Sequence, residues 1–371
     1  MSATLKFIWN YIRKNPVFVI ATFAAAITTI FVKPDRQYLG YLDFRTLTCL
    51  FCVLAVVCAL KNVNFFYILA RRIVTGFNTA RKCVMALLVI TFAGSMLIAN
   101  DMALLTFLPL GYFVLSSTGM TKYAALTFIL QNIAANLGGM LTPFGNPQNL
   151  YLYSKFNISN TEFVKIMWAP FVLSMIMLAI CCIFIKDEPL SLPPAEPQVM
   201  RKRTIIYLIL MVLAIAIVFR VVPYLVGLIL IPVVVWMLDK KALGMVDYPL
   251  LLTFVAFFIF SGNMSRIDVV RDLMSSLMEQ STLIYSTISC QFISNVPSAI
   301  LLSQFTDNYR ELLWGVNIGG VGTLISSLAS LITFREYGHH FPESRGRYVV
   351  LFLVINFIFL GILLGFCMLL R

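Results

Sequence analysis

Long apolar runs separated by short polar breaks fill most of the chain, at 17–32, 43–60, 164–185, 204–219, 221–238, 248–262 and 348–370. Most approach the ~20 residues that a helix needs to cross ~30 Å of hydrocarbon. They predict membrane-spanning helices. Two other regions do not fit a simple crossing. Residues 83–117 are apolar at both ends but carry Asn100-Asp101 in the middle, and the stretch is too long for one ordinary span. It reads either as one long span or as a re-entrant hairpin. The hairpin is favoured, because non-helical backbone at membrane depth is tolerated where protein or a water-filled cavity surrounds it. Residues 121–156 contain Gly138-Gly139, Pro143, Gly145 and Pro147. Gly and Pro at this density predict a helix broken near its middle.

The same order then returns. After the Pro-rich, charged stretch 187–203 and the spans that follow it, 282–305 is hairpin-like around Ser294-Asn295 and 311–334 is a second broken helix. Asn136-Leu-Gly-Gly-Met-Leu-Thr142 in the first broken segment is matched by Asn317-Ile-Gly-Gly-Val-Gly-Thr323 in the second. Basic amphipathic 62–82 and charged amphipathic 264–280 precede the two hairpins and read as interfacial helices. The expected organisation is therefore a first repeat over 1–186, a cytoplasmic linker at 187–203 and a second repeat over 204–371. Polar interruptions in corresponding places of two apolar halves point to a transporter binding site.

Topology and charge give the halves a relative orientation. If each hairpin enters and leaves on one side, an odd number of crossings separates 43–60 from 248–262, so the repeats are inverted. With the N-terminus cytoplasmic, the excess of Lys and Arg falls on the cytoplasmic side. The first hairpin then opens from the cytoplasm and the second from outside. Lys6, Arg13 and Lys14 precede the first span with no small-residue cleavage site after it, so that span is expected to be retained.

Composition narrows the alternatives. Hydrophobic residues make up 60% and charged residues 12%, which no soluble chain of this length could hide from water. A net charge of +12 could suggest nucleic acid, but the basic residues sit in short loops at span ends. The partners expected are the lipid bilayer and a small solute, with no nucleic acid. Cys49-x-x-Cys52 and Cys181-Cys182 lie inside apolar runs without nearby histidines and read as packing residues. His339 and His340 read as part of a polar loop. There is no Ser/His pair, no HExxH and no pair of acids within spans, so an intramembrane enzyme is not expected.

Broken helices carry chemistry of their own. A half-helix that starts at mid-membrane presents free N–H groups to an anion, and one that ends there presents carbonyls to a cation. Gly138, Gly139, Gly319 and Gly320 let backbone approach a ligand. Thr142, Thr323, Asn146, Ser326 and Ser327 add neutral oxygens and amides suited to an exchangeable Na⁺, the one expected cofactor-like ion. Asp101 is an intramembrane acid, and such a group marks an ion or proton path. It also reads as a cap on the hairpin tip. Its repeat counterpart is Val296.

On Asn100-Asp101, Leu141-Thr-Pro-Phe-Gly-Asn-Pro-Gln-Asn149, Ser294-Asn295-Val-Pro-Ser298 and Asn317-Ile-Gly-Gly-Val-Gly-Thr323, the chain resembles the ion transporter superfamily over nearly its whole length. That group joins citrate-transporter-like permeases, arsenite permeases, NhaD-type antiporters and divalent anion symporters. Within it the chain resembles bacterial inner-membrane permeases of the YbiR type. The resemblance implies an all-α polytopic fold of two inverted repeats, working as a homodimer in the cytoplasmic membrane. It implies a rigid scaffold and a transport part that moves as an elevator. Substrate would be held by Asn100, Thr142, Asn146, Asn295, Ser298 and Thr323. Cations would be held by Asn100, Asp101, Gly138, Gly145, Ser294, Asn295, Asn317 and Gly319. Divalent anion symporters carry Ser-Asn-Thr at both tips, where this chain has Ala99-Asn100-Asp101 and Ser294-Asn295-Val296. The expected function is secondary transport of a small anion driven by Na⁺ or H⁺. A Na⁺/H⁺ antiporter using Asp101 stands as the alternative, and a channel is less favoured.

Overall fold

The computed structural model describes residues 16–74, 76–189 and 201–371. The basic N-terminal residues Lys6, Arg13 and Lys14 and most of the 187–203 linker lie outside them. The described chain is built from helices joined by short turns. Apart from the short helices Tyr38–Tyr41 and Lys240–Gly244 and three single turns, they are in order α1 (Pro16–Phe31), α2 (Phe44–Asn62), α3 (Phe65–Val74), α4 (Ala80–Ile98), α5 (Asn100–Ser117), α6 (Ala124–Gly138), α7 (Pro147–Lys155), α8 (Asn160–Ile183), α9 (Arg201–Val218), α10 (Tyr224–Leu238), α11 (Tyr248–Ser265), α12 (Asp268–Ile293), α13 (Asn295–Leu302), α14 (Tyr309–Ile318), α15 (Leu328–His340) and α16 (Arg345–Leu369). Among the described residues, six helical segments are long and apolar enough to cross a membrane. Large apolar side chains face outward on several of them, with Phe184 77% and Leu369 87% exposed. A wall of that kind is stable against lipid and not against water. The chain is a multi-pass helical membrane protein.

The helices gather into two groups. In one, α2 packs against α9 and α10, and α1 packs against α11. Small residues line the α2 contact: Cys52, Ala55, Cys58 and Ala59 are fully buried. A Cβ at Gly227 of α10 would lie 3.2 Å from Cys52 Sγ and 2.4 Å from Ile217. Without a hydrophobic force between helices in lipid, close backbone approach through small residues supplies the packing. In the other group, α4 pairs with α5, α12 with α13, and both pairs embrace α6–α7 and α14–α15, with α8 and α16 outside. The outgoing arm α5 packs on α15, and the outgoing arm α13 packs on α7. Each helix pair thus leans on the broken helix of the opposite half.

Several boundaries differ from the sequence reading. The basic stretch 62–82 forms α3 and then the start of α4, which begins at Ala80. The charged stretch 264–280 does not stand apart from the second pair. It runs into it as α12, interrupted at Ser281 (φ −166°, ψ 99°). There the Ser281 hydroxyl accepts the Ile284 N–H at 3.3 Å, and Glu311 accepts the Leu283 N–H at 3.0 Å. The break is a helix cap inside a continuous stretch. The two histidines are not in a loop. They close the last turn of α15, where His340 faces Glu336 at 3.3 Å, one turn back, and stacks on Tyr112 of α5 with ring centres 3.5 Å apart.

Candidate substrate and cation site

Each broken helix stops for a local reason. The first ends at Gly138, continues as a tight turn over Gly139–Leu141, and restarts at Pro147. Pro147 lacks an N–H and is favoured at the first helical position. Asn146 before it is extended (φ −132°, ψ 139°). The second ends at Ile318 and restarts at Leu328 behind Ser327, also extended (φ −149°, ψ 152°), whose hydroxyl accepts the Ser330 N–H.

The two helix pairs turn in the same unusual way. Ala99 sits at φ 64°, ψ 148° and Ser294 at φ 74°, ψ 159°. These values belong to a region that glycine alone visits easily, and each costs of order 1–3 kcal/mol. The strain is held by matching contacts. The Asn100 N–H donates to the Gly145 carbonyl at 3.0 Å, and the Asn295 N–H donates to the Ser326 carbonyl at 2.9 Å. The Asn100 side chain accepts the Asp101 N–H at 3.0 Å, and that of Asn295 accepts the Val296 N–H at 2.9 Å. The Thr142 hydroxyl donates to Met96 carbonyl at 2.7 Å, and the Thr323 hydroxyl to Gln291 carbonyl at 3.0 Å. Each helix pair is therefore docked on the unwound linker of its own half by the same two bonds, and each tip is capped internally by the same third.

Between the linkers lies a web of amides that joins the halves. Asn146 Nδ2 donates to the Asn136 carbonyl at 3.0 Å and to Asn317 Oδ1 at 3.1 Å. Asn317 Nδ2 donates to Asn149 Oδ1 at 2.6 Å and to the Leu313 carbonyl at 2.8 Å. Asn136 Nδ2 makes the corresponding bond to the Asn132 carbonyl at 3.1 Å, and its Oδ1 accepts from Asn100 Nδ2 at 3.2 Å. Asn132 reaches Ser330 Oγ at 3.3 Å. Asn132, Asn136, Asn146, Asn149 and Asn317 are all essentially buried. Buried amides of this number are costly unless mutually satisfied, and a satisfied web fixes one arrangement. Two acceptors remain free: Asn146 Oδ1 and Gln148 Oε1 are buried without a partner. A Cβ at Gly139 would lie 2.4 Å from Asn146 Oδ1 and 2.8 Å from the Gly145 carbonyl, so glycine is required where those oxygens converge.

The structure brings Asn100, Gly145, Asn146 and Asn317 into one connected network. Asn295 is beside it: a Cβ at Gly320 would lie 2.9 Å from Asn295 Nδ2 and 3.5 Å from Asn136 Oδ1. Gly138 and Gly319 serve close packing, facing Ser95 and Cys290 respectively. Ser294 forms the second turn. Thr142 and Thr323 spend their hydroxyl protons on α4 and α12. Ser298 is turned into its own helix pair, 2.9 Å from Ser289 Oγ. Asp101 lies apart from this network: its Oδ1 is buried and unpartnered, and the residue lines a cavity beside the first tip. Sequence reasoning missed Asn132, Asn149, Gln148 and Gln291. The signal for Asn149 was in view, inside the Pro147-Gln-Asn149 run. It also missed two acids: Glu311, buried on α14, and Asp247, at the start of α11 and facing the same cavity as Asp101.

The model of the citrate transporter family matches residues 5–309. The chain belongs to that family. The uncharacterized transporter MJ0456 of Methanocaldococcus jannaschii is 31% identical over 296 residues, covering 79% of this chain and 81% of the relative. The inner membrane protein YbiR of Escherichia coli is 28% identical over 311 residues, covering 81% of this chain and 82% of the relative. The silicon efflux transporter LSI3 of rice, Oryza sativa subsp. japonica, is 29% identical over 174 residues, which is 45% of this chain and 35% of that protein. As a citrate transporter family member the chain is a transporter and not an enzyme.

Proposed function

We propose that the chain is a secondary active transporter that moves a small anion across the cytoplasmic membrane, coupled to Na⁺ or H⁺. The observation that carries this reading is the twin docking of two strained tips on two unwound linkers around one asparagine web. In this reading the halves are inverted repeats and the tips are re-entrant. The positive dipole ends at the starts of α7 and α15 attract the anion, while Asn146 Oδ1 and the Gly145 and Ser326 carbonyls suit a weakly held cation. Asn100, Asn295 and Asn317 position both. The group containing α2, α9 and α10 is the scaffold and dimer partner. The group containing the tips moves past it as an elevator. The family name and the rice relative's name point to different cargoes, so the frame is carried over and the cargo is not. With no threonine at either tip, a dicarboxylate is disfavoured.

The test is flux in proteoliposomes. An anion panel is offered under an imposed Na⁺ or H⁺ gradient, and one anion is taken up only with its driving ion. Asn295→Ala should abolish that uptake. Uptake by Asn295→Ala at the wild-type rate would remove the tip from the mechanism. Cysteines placed at 110–120 should label from the cytoplasm, and those at 306–310 from outside. Labelling of both from one face refutes the inversion. A second reading, Na⁺/H⁺ antiport, is favoured by the unpartnered Asp101 oxygen. Proton efflux driven by Na⁺ alone, lost in Asp101→Asn, would select it.

A further inference from the structure

Beside the first tip, between the two helix groups, lies a cavity of about 60 Å³. Its walls are apolar, formed by Leu50, Val53 and Leu54 of α2 together with Phe144, Leu150 and Ile332. Two of its lining residues are carboxylates, Asp101 in the first turn of α5 and Asp247 at the start of α11. One Asp247 oxygen accepts the Leu250 N–H at 2.9 Å. Asp101 Oδ1 is buried and accepts nothing. Neither carboxylate joins an ion pair among the described residues. Basic residues on the elements around Asp247 are Lys61, in the last turn of α2, and Lys240 and Lys241, on the short helix Lys240–Gly244 that packs against α2. α5, α7 and α15 bring no further charge to the cavity wall.

The pair exists at one tip only. Asp43 caps α2 as Asp247 caps α11, through the Thr46 N–H at 2.9 Å. The counterpart of Asp101, however, is Val296. Two carboxylates facing one small apolar cavity repel each other and lose hydration. A single positive charge between them removes both costs, and the cavity has room for it, since ~10–15 Å³ already holds a water.

We propose that Asp101 and Asp247 together bind one monovalent cation, a proton or Na⁺, across the boundary between the two helix groups. This rests on the transport reading and deepens it. Asp101 belongs to the group with the tips and Asp247 to the group with α1 and α2. The site is whole only in the position seen here and comes apart when the groups slide, so its occupant favours this position.

The experiment uses purified full-length protein in detergent. Thermal unfolding is followed in NaCl against choline chloride at equal ionic strength, from pH 5.5 to 8.5. Na⁺ binding predicts a wild-type Tm raised by NaCl at pH 8.5. Proton binding predicts a Tm that rises on acidification in choline. Either response should fall at least tenfold in apparent affinity in Asp247→Asn and in Asp101→Asn. It should persist in Asp43→Asn, which weakens the matching cap far from the cavity. Should Asp247→Asn unfold, a Met102→Cys/Leu250→Cys pair spanning the cavity should cross-link faster with Na⁺ or at pH 5.5 than in choline at pH 8.5, each rate taken relative to an exposed control cysteine pair at the same pH, which cancels the loss of thiolate in acid. A wild-type protein indifferent to both ions overturns the proposal. So does an Asp247→Asn response equal to wild type, or a cross-linking rate unmoved by either ion. Loss in Asp101→Asn with retention in Asp247→Asn sinks the pair and leaves the transport reading standing. Failure of the transport reading shows instead as absent flux.

Discussion

The two tips share a backbone and differ in what fastens them. Both turn through a strained non-glycine residue, and both hang from a linker carbonyl by an asparagine N–H. At the second tip, Gln291 does more. Its Nε2 donates to the Gly319 carbonyl at 2.9 Å and to the Val321 carbonyl at 3.3 Å, while its Oε1 accepts the Thr323 N–H at 2.9 Å. The counterpart position in the first half is Met96, which offers only its carbonyl. There the linker is held from the other side, by Asn149 Nδ2 reaching the Gly139 and Met140 carbonyls at 3.3 and 3.2 Å. So the second linker is tied to its helix pair, and the first to its own outgoing half-helix. The first tip is also the one with the cavity and the free carboxylate. One frame is fastened in two ways, by a glutamine of the helix pair at the second tip and by an asparagine of the outgoing half-helix at the first.

The sharpest way to break this comparison is to crowd the linkers. Gly139→Ala places a methyl against Asn146 and the Gly145 backbone and should cost about 3 kcal/mol, seen as loss of monodisperse protein. Gly320→Ala meets the Asn295 side-chain amide, which can shift, and should cost about 1 kcal/mol. Equal losses would mean that the two linkers are equally rigid. Next in size, Asn317→Ala orphans Asn149 Oδ1 and frees Asn146 and Gln148. It should cost about 2–3 kcal/mol, read by Tm, and more than Asn136→Ala.

Gln291→Ala leaves the second linker's carbonyls and the Thr323 N–H unpaired and should cost about 2 kcal/mol. Met96→Ala removes no hydrogen bond and should cost about half that. A larger loss at Met96 would mean that the glutamine does not brace the second linker.

The smallest effect concerns the base of the first half. Glu188 pairs with Lys122 at 2.7 Å, and this holds its carboxyl below the ordinary range. A depressed pKa means stabilisation that is present above the ordinary value and lost as pH falls through the folded one. Glu188→Gln should lower Tm slightly at pH 7, with the difference from wild type vanishing at acid pH. A difference that grows on acidification would contradict the pairing.

Much of the frame was legible because lipid makes the code strict. An apolar run of the right length crosses, and a polar interruption must be surrounded by protein. Asn100, Asn146 and Asn317 stood out for that reason, and they do converge. The threonines and Ser298 stood out equally and turn toward their own helix pairs. A side chain's partner depends on rotation about a helix axis, which composition does not reveal. Gln291 and Asn132 were silent, because one polar residue on an apolar helix looks the same whether it braces a linker or fills a gap. Asp247 was silent too, and the structure shows it capping α11. Its place in the lining of the cavity beside the first tip is visible only in the fold.

The amino-acid order by itself determined a membrane protein with two matching interrupted halves, because helix length, backbone satisfaction and the Gly-Pro breaks are local properties of the chain. Only the tertiary structure decided which amides answer one another across the halves, which linker a glutamine braces, and that a carboxylate distant in sequence lines the same cavity as Asp101. Those outcomes depend on which helix faces meet, and no local rule encodes that.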